Sequence, residues 1–165
     1  MPSGLARSAD VHLRADATSF RSGSGSFEWR GISAFRLAEM VAGGRDRDVI
    51  LFLDWARSQQ LTVVRVFVMA RHLFQLQPAE GVKALARVLE LARDRGLHVE
   101  AVALGDTVAI KIDFEGHVKA VGAVAAKYTN ATLEIANEPG HATQDRKLHD
   151  PSFVRRLASL VPEQV

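Results

Sequence analysis

The sequence lacks several features that would point to particular classes of protein. It contains no cysteine, which excludes disulfide bonds and thiolate metal sites. No apolar run is long enough to cross a bilayer, so no membrane partner is expected. Residues 1–26 carry no apolar segment typical of a secretory signal. We therefore expect a cytoplasmic protein, although a signal peptide removed earlier would leave the same sequence.

Motifs for common ligands are absent as well. No Gly-x-Gly-x-x-Gly follows the first predicted strand, and no phosphate-binding loop of the Walker type occurs. No two histidines stand at ligand spacing on one helix, so neither a metal nor another cofactor is predicted. The net charge of +2 is small, and lysine and arginine are scattered along the chain, which argues against a nucleic-acid partner.

The composition that remains is that of an ordinary globular domain. Hydrophobic residues make up 47% of the 165 residues, which is enough for one domain with a real core. We divide the chain into an N-terminal tail and β-hairpin at 1–26 and a main domain at 27–165. The hairpin is predicted because short apolar segments at 11–14 and 19–21 flank a turn at Asp16. The alternative is a flexible linker, since Ser and Gly dominate the end of this region.

The main domain alternates between strand patterns and helix patterns. Each strand is a short apolar, β-branched run, and the helices between them repeat apolar residues at helical spacing. Such alternation predicts right-handed crossovers and a parallel sheet in the order 1-2-3-4, with helices on one side. An α/β fold follows, either a TIM barrel or an open doubly wound sheet. The predicted strands lie at 29–35, 61–69, 97–104 and 131–136, and the main helices at 46–58, 78–95, 114–128 and 151–160.

The last of these strands ends abruptly at a motif with chemical content. Asn137, Glu138, Pro139 and Gly140 follow the apolar run that begins at Ala131. Proline removes a backbone donor and glycine permits almost any dihedral, so the strand must stop and a loop begin. In α/β folds, catalytic groups collect at this carboxyl end of the strands.

Asn-Glu-Pro at a strand end resembles the motif of the retaining TIM-barrel glycoside hydrolases, the clan of cellulases and mannanases. The resemblance implies a (β/α)8 barrel, of which this chain matches the first four βα units, and an oligosaccharide or polysaccharide substrate. It implies that Glu138 is the general acid/base and that Asn137 holds the sugar 2-hydroxyl. In this clan the nucleophile comes from strand seven, which has no counterpart in the chain.

Arg65 is the second conspicuous residue, because it interrupts the most apolar strand of the chain. An arginine inside a sheet is costly unless it is paired. The resemblance implies that Arg65 reaches the nucleophile and keeps it ionised. The alternative is a structural ion pair with Glu134 or Glu100, both of which are predicted in mid-strand rather than at the catalytic edge.

Four further residues follow or end the predicted strands and are candidates for contact with substrate: Phe35, His72, Asp106 and His141. A ring at the end of the first strand stacks well on a sugar face, but an aromatic residue there is more often part of the core. Loop histidines and aspartates are more often only solvated, and asparagine at a strand end often serves the turn alone.

Three hypotheses follow from these residues. The first is the N-terminal half of a retaining hydrolase of a β-linked glycan, inactive without its nucleophile. The second is a non-catalytic half-barrel that binds carbohydrate or assembles with another copy through its open edges. The third is an unrelated βα-repeat enzyme in which Asn-Glu-Pro is coincidental.

Overall fold

The computed structural model describes residues 8–15, 18–23, 25–108 and 110–165. The turn predicted at Asp16 lies outside these ranges, as does most of the N-terminal tail. A single 3-10 turn at Ser8–Asp10 comes first among the described residues. Three short antiparallel strands follow in the order β1-β2-β3, at Leu13–Ala15, Phe20–Ser22 and Gly25–Phe27.

The main domain is built on a parallel sheet of four strands in the order β4-β5-β6-β7. This is the order predicted from the strand-helix alternation, and Gly31, Val64, Val102 and Ile135 all lie in these strands. Strand β7 fills its apolar run, whereas the other three strands are shorter than theirs, because the end residues of those runs find no partners in the ladder. They span Gly31–Ser33, Val63–Phe67, His98–Leu104 and Ala131–Ala136.

Among the described residues, four α-helices lie between the parallel strands and a fifth follows the last of them. They span Leu37–Ala42 (α1), Asp46–Ser58 (α2), Pro78–Arg93 (α3), Phe114–Ala125 (α4) and Pro151–Ala158 (α5). Helix α3 begins with a capping box and a proline in its first turn, and Gly96 follows its end in the left-handed conformation (φ 70°) that is common after a helix. The carboxylates of Asp113 and Asp150 cap α4 and α5 by accepting backbone N–H bonds.

All five helices pack on one face of the sheet, in a single core. That face consists of alternate strand residues, among them Val64, Val66, Val99, Ala101 and Ala103, each of which is fully buried. The helix-covered face is the arrangement of a barrel rather than of an open doubly wound sheet, whose helices cover both faces.

Helix α3 lies unusually close to the end of β5. A Cβ atom at Gly81 would stand 1.5 Å from the carbonyl oxygen of Val68, so only glycine fits there. This contact fixes the start of α3 directly behind the loop that follows β5. Among the described residues, no helix is both long and apolar enough to cross a membrane.

The N-terminal strands pack against the start of the parallel strands. Phe27 is buried and its ring meets that of His98 edge-on, with centroids 4.9 Å apart. The hydroxyl of Thr62 donates to the carbonyl of Glu28 at 2.7 Å. Because His98 and Thr62 lie at the amino ends of their strands, this sheet covers the end opposite to Glu138.

Candidate functional site

The sheet face away from the helices carries charged side chains among apolar ones. Arg65 on β5 is directly opposite Glu100 on β6, and Val102 on β6 is opposite Glu134 on β7. Side chains alternate between the two faces of a strand, so this register places all three charged groups on the same face. Their side chains are 21–26% exposed.

Arg65 is held by both carboxylates. Its Nε and Nη2 donate to the two oxygens of Glu134, each at 2.7 Å, and its Nε lies 3.7 Å from Glu100. A bidentate arginine-carboxylate pair is among the stronger hydrogen-bonded contacts in proteins. The bond to Glu134 raises the pKa of Arg65, against an opposing effect of burial, and the charges of Glu100 and Glu138 add to the rise. Arg65 thus forms the ion pair that the sequence left as an alternative.

The aromatic rings beside Arg65 complete this face. Phe35 stacks on Phe67 with centroids 4.2 Å apart, and the guanidinium carbon of Arg65 lies 5.5 Å from the centre of the first ring and 5.6 Å from that of the second. A guanidinium at this distance gains from the negative face of a ring. Phe35 is half-buried and supports Arg65; its contact with a sugar remains a prediction.

Within this charged cluster, Glu100 is the residue whose negative charge is unfavourable. Burial raises its pKa, the nearby charge of Glu134 raises it further, and Arg65 lowers it by less than their sum. The charged form of Glu100 is therefore less favourable in the folded chain than in the unfolded one. The contribution of Glu100 to stability is fully present at pH values below its pKa in the unfolded chain. It is lost as the pH rises through the higher pKa that Glu100 has in the folded chain.

Replacing Glu100 with glutamine is expected to stabilise the chain at about pH 7, since glutamine mimics the neutral form that the fold prefers. At about pH 3 the wild type and the variant should unfold at the same urea concentration, because the carboxyl is then protonated in both states. Urea titrations at the two pH values test this. Glu28→Gln, at a side chain 70% exposed, is the control. A variant that is less stable than the wild type at neutral pH would show that Arg65 needs Glu100.

Strand β7 ends directly before Asn137 and Glu138 and places them at the carboxyl edge of the sheet. The backbone N–H of Asn137 donates to the carbonyl of Leu104 at 3.0 Å, which is the last rung between β6 and β7. The chain then turns: Glu138 has φ 42°, a left-handed conformation that is unfavourable for a residue with a side chain. Its carbonyl accepts from the N–H of His141 at 2.8 Å, and its side chain is exposed.

Arg65 also orients the side chain of Asn137. Its Nη2 donates to Oδ1 of Asn137 at 3.0 Å. Because a guanidinium only donates, it fixes which end of the amide faces it, and Nδ2 becomes the end directed away. That Nδ2 lies 3.5 Å from Oε2 of Glu138. The ion pair with Glu134 therefore holds Arg65, and Arg65 holds the asparagine next to the exposed carboxylate.

His72 and Asp106 lie in the neighbouring loops and contact each other. Asp106 is 1% exposed, and its carboxylate accepts the backbone N–H groups of His72 and Leu73 at 3.1–3.2 Å. Nε2 of His72 lies 2.7 Å from the carbonyl of Val108, although the residue as a whole is exposed. These contacts join the loops after β5 and β6. Contact of either residue with substrate is untested and stays a prediction.

His141 lies three residues beyond Glu138 and is exposed. Its Nδ1 is 2.9 Å from the hydroxyl of Thr143 and 3.3 Å from the backbone N–H of the same residue. These contacts leave Nε2 as the ring nitrogen available to a ligand, so substrate contact stays a prediction here too. No cluster of three or more metal-ligating side chains occurs in the part of the chain that the structure describes.

Gln144, which sequence reasoning missed, is 2% exposed and lies beneath the turn at Glu138. Its Nε2 contacts the carbonyl oxygens of Leu104, Gly105 and Asn137, and its Oε1 accepts from the hydroxyl of Thr107 at 2.7 Å. A glutamine in a polar loop has no pattern that marks it as buried.

No protein-family model matches the sequence, and no curated protein matches it. Solved structures do. A β-glucanase from Saccharophagus degradans, solved in complex with cellotetraose, aligns with 100% of this chain and 56% of its own, at 13% identity and a TM-score of 0.66. An exo-β-1,4-mannosidase from Opitutaceae bacterium strain TAV5 aligns with 89% of this chain and 31% of its own, at 17% identity and a TM-score of 0.65.

A third similar structure is a GH5_18 protein from Streptomyces cattleya in complex with GlcNAc, at 16% identity and a TM-score of 0.58. It aligns with 85% of this chain and 44% of its own. The chain thus spans about half or less of these solved proteins. At such identities the likeness shows the fold: the resemblance to cellulase- and mannanase-like TIM-barrel glycoside hydrolases is confirmed at that level.

Proposed function

We propose that this chain supplies the acid/base half of the active site of a retaining hydrolase that cleaves β-linked glycans. The observation that carries the proposal is the exposed carboxylate of Glu138 at the carboxyl edge of the sheet, beside an asparagine oriented by Arg65. The fold shared with glycoside hydrolases adds support, because their catalytic groups also lie at this edge.

Each residue at the edge has a role in this proposal. Glu138 protonates the glycosidic oxygen as the bond to the anomeric carbon breaks, and then deprotonates the water that attacks the glycosyl-enzyme. Nδ2 of Asn137 donates to the sugar 2-hydroxyl, and that bond strengthens as the oxocarbenium-like charge develops. Arg65 fixes Asn137 and, as the resemblance implies, also faces the nucleophile. His72, Asp106, His141 and Phe35 are proposed to line the sugar site.

The nucleophile must be a second carboxylate, ~5 Å from the first in a retaining enzyme. Glu134 and Glu100 are engaged by Arg65 on the face of the sheet, so neither is free for this role. We therefore assign the nucleophile to further βα units that would complete the half-barrel. That these four βα units form half of a barrel is likewise part of the proposal.

Hydrolysis assays test this division of the site. The intact protein that contains the chain is incubated with cellotetraose and with a β-1,4-mannan oligosaccharide, and the isolated chain is assayed in parallel. We expect turnover by the intact protein and none above background by the chain alone. Equal turnover by the chain alone would place a nucleophile within these residues and contradict the division. No turnover of either glycan by the intact protein would count against the proposed activity.

The second candidate is a half-barrel that assembles with another copy. Strands β4 and β7 each have one strand neighbour among the described residues, which leaves an open edge on both sides of the sheet. Helix α2 exposes 60% of Leu51 and 45% of Trp55, one turn apart.

A cavity of about 790 Å³, lined in part by Thr132 and Leu133, borders the amino end of β7, remote from Glu138.

Self-association of the isolated chain is expected, since open edges and exposed apolar side chains both favour pairing. Light scattering across a concentration series should give a mass that rises above that of the 18.0 kDa chain. Replacing Leu51 and Trp55 with lysine should shift the equilibrium toward monomer. Leu73→Lys, at a loop residue 59% exposed, is the matched control. A monomer at all concentrations, with cooperative unfolding at high temperature, would contradict the expectation.

A further inference from the structure

We infer that Gln144 is the residue that positions Glu138, an inference that rests on the proposed function for its catalytic consequence. The side chain lies where the hydrogen-bond ladder between β6 and β7 ends. Asn137 N–H to Leu104 is the last rung, and beyond it the two strands separate. The amide of Gln144 contacts Leu104 and Gly105 on one strand and Asn137 on the other, so it bridges the gap.

The chemistry of these contacts fixes the orientation of Gln144. Carbonyl oxygens only accept hydrogen bonds, so the group that faces all three must be the NH₂ end of the amide. The other end accepts from Thr107, whose hydroxyl in turn accepts the backbone N–H of Asp145 at 2.8 Å. Both Gln144 and Thr107 are buried, so none of these groups has water as a substitute partner.

The loop that carries Gln144 is itself tied to the loop after β6. The carbonyl of Thr143 accepts the backbone N–H groups of Thr107 and Val108 at 3.0 and 2.9 Å. The backbone next to Gln144 is therefore held by the loop after β6, without any contribution from the side chain of Glu138. A fixed donor below the strand end holds the carbonyl of Asn137, and hence the peptide plane that leads into Glu138.

This restraint explains how Glu138 keeps a left-handed backbone. A residue with a side chain is destabilised in that conformation, which persists only when the surroundings enforce it. The N–H of Asn137 is held from one side and its carbonyl from the other. The bond from His141 to Glu138 then closes the turn. Without the amide of Gln144, the carbonyl of Asn137 loses its hydrogen-bond donor, and the backbone that orients the carboxylate of Glu138 is no longer held.

Hydrogen exchange on the full 165-residue chain tests the structural step. Gln144→Met keeps the approximate volume and removes both donors. We expect the amide proton of His141 to exchange about tenfold faster, as when one hydrogen bond is lost, while amides in the centre of β6 keep their protection. Gln59→Met, at an exposed glutamine on the end of α2, is the control and should change neither. Unchanged exchange at His141 would overturn the inference, as would a uniform increase throughout the sheet.

Kinetics of the intact protein test the catalytic step. Misplacing a catalytic group by about 1 Å is typically worth about 10²-fold in rate, so Gln144→Met should lower kcat by up to that factor with little change in KM. In a Glu138→Ala background the same substitution should cost nothing more, because Gln144 acts through Glu138. An equal loss in both backgrounds would contradict the positioning role. If the wild type cleaves no glycan, the proposed function fails, and the exchange result alone decides whether Gln144 holds the turn.

Discussion

Under the proposed function, replacing Glu138 with alanine should slow hydrolysis of an unactivated β-glycan by about 10²–10⁴-fold in the intact protein, the usual contribution of general acid/base catalysis. The sugar oxygen is a poor leaving group and departs only as it gains a proton, which is the role proposed for Glu138. Initial rates on cellotetraose for the wild type and the variant provide the measurement. Glu28→Ala, at an exposed carboxylate on the opposite end of the sheet, should keep its activity.

The size of the loss should depend on the leaving group. An activated aryl β-glycoside departs with little protonation, so its glycosylation step should survive in Glu138→Ala. Asn137→Ala should behave differently and weaken the transition state for all leaving groups, since the 2-hydroxyl contact proposed for Asn137 does not involve the departing oxygen. If the two variants show the same dependence on leaving group, the roles assigned to the two residues cannot both be right.

Replacing Arg65 with methionine should destabilise the chain by about 3 kcal/mol, the low end for breaking a buried ion pair. The low end applies because the three charged side chains are still 21–26% exposed. Methionine leaves Glu134 and Glu100 facing each other without a cation. Urea unfolding at about pH 7 gives the loss, which should shrink at about pH 3, where Glu100, whose pKa is raised, is neutral.

Two comparisons make the Arg65 prediction specific. Arg156→Met breaks an exposed pair with Glu115 and should cost less than about 1 kcal/mol. Arg65→Lys keeps the charge but loses the two-pronged contact with Glu134, so an intermediate loss is expected. Adding Glu134→Gln to Arg65→Met should recover part of the stability. A loss at Arg65 no greater than that at Arg156 would show that the cluster does little for the fold.

Much of the fold follows from the sequence because burial leaves a strong pattern. The run around Val64 is apolar on both sides of Arg65, as a strand buried on both faces requires, and the structure buries Val64 and Val66 on one face of β5 and Val63 and Phe67 on the other. Strand β7 matches its predicted bounds of Ala131–Ala136, since Asn137 and Pro139 mark its end chemically. Helix ends were less predictable: α4 stops at Ala125 although its apolar spacing continues to Tyr128.

The site is only partly readable from the sequence, for a physical reason. Glu138 and Arg65 were conspicuous because each breaks a local pattern of apolar residues. Which carboxylate pairs with Arg65 depends on the register of the neighbouring strands, because a slip of one residue would turn the side chains to the opposite face. Only the structure shows that Glu134 and Glu100 lie on the same face as Arg65. Gln144 breaks no pattern, and its contacts join residues 7 to 40 positions away, so no local reading finds it.

The most direct test of the acid/base assignment is the product that Glu138→Ala forms in the presence of azide. Without its base, the variant should accumulate the glycosyl-enzyme formed from an activated aryl β-glycoside, and azide, which needs no deprotonation, should attack it. Proton NMR of the product should then show a β-glycosyl azide, with turnover restored in proportion to azide. No azide adduct, together with near-normal turnover of an unactivated glycan, would show that Glu138 is not the acid/base.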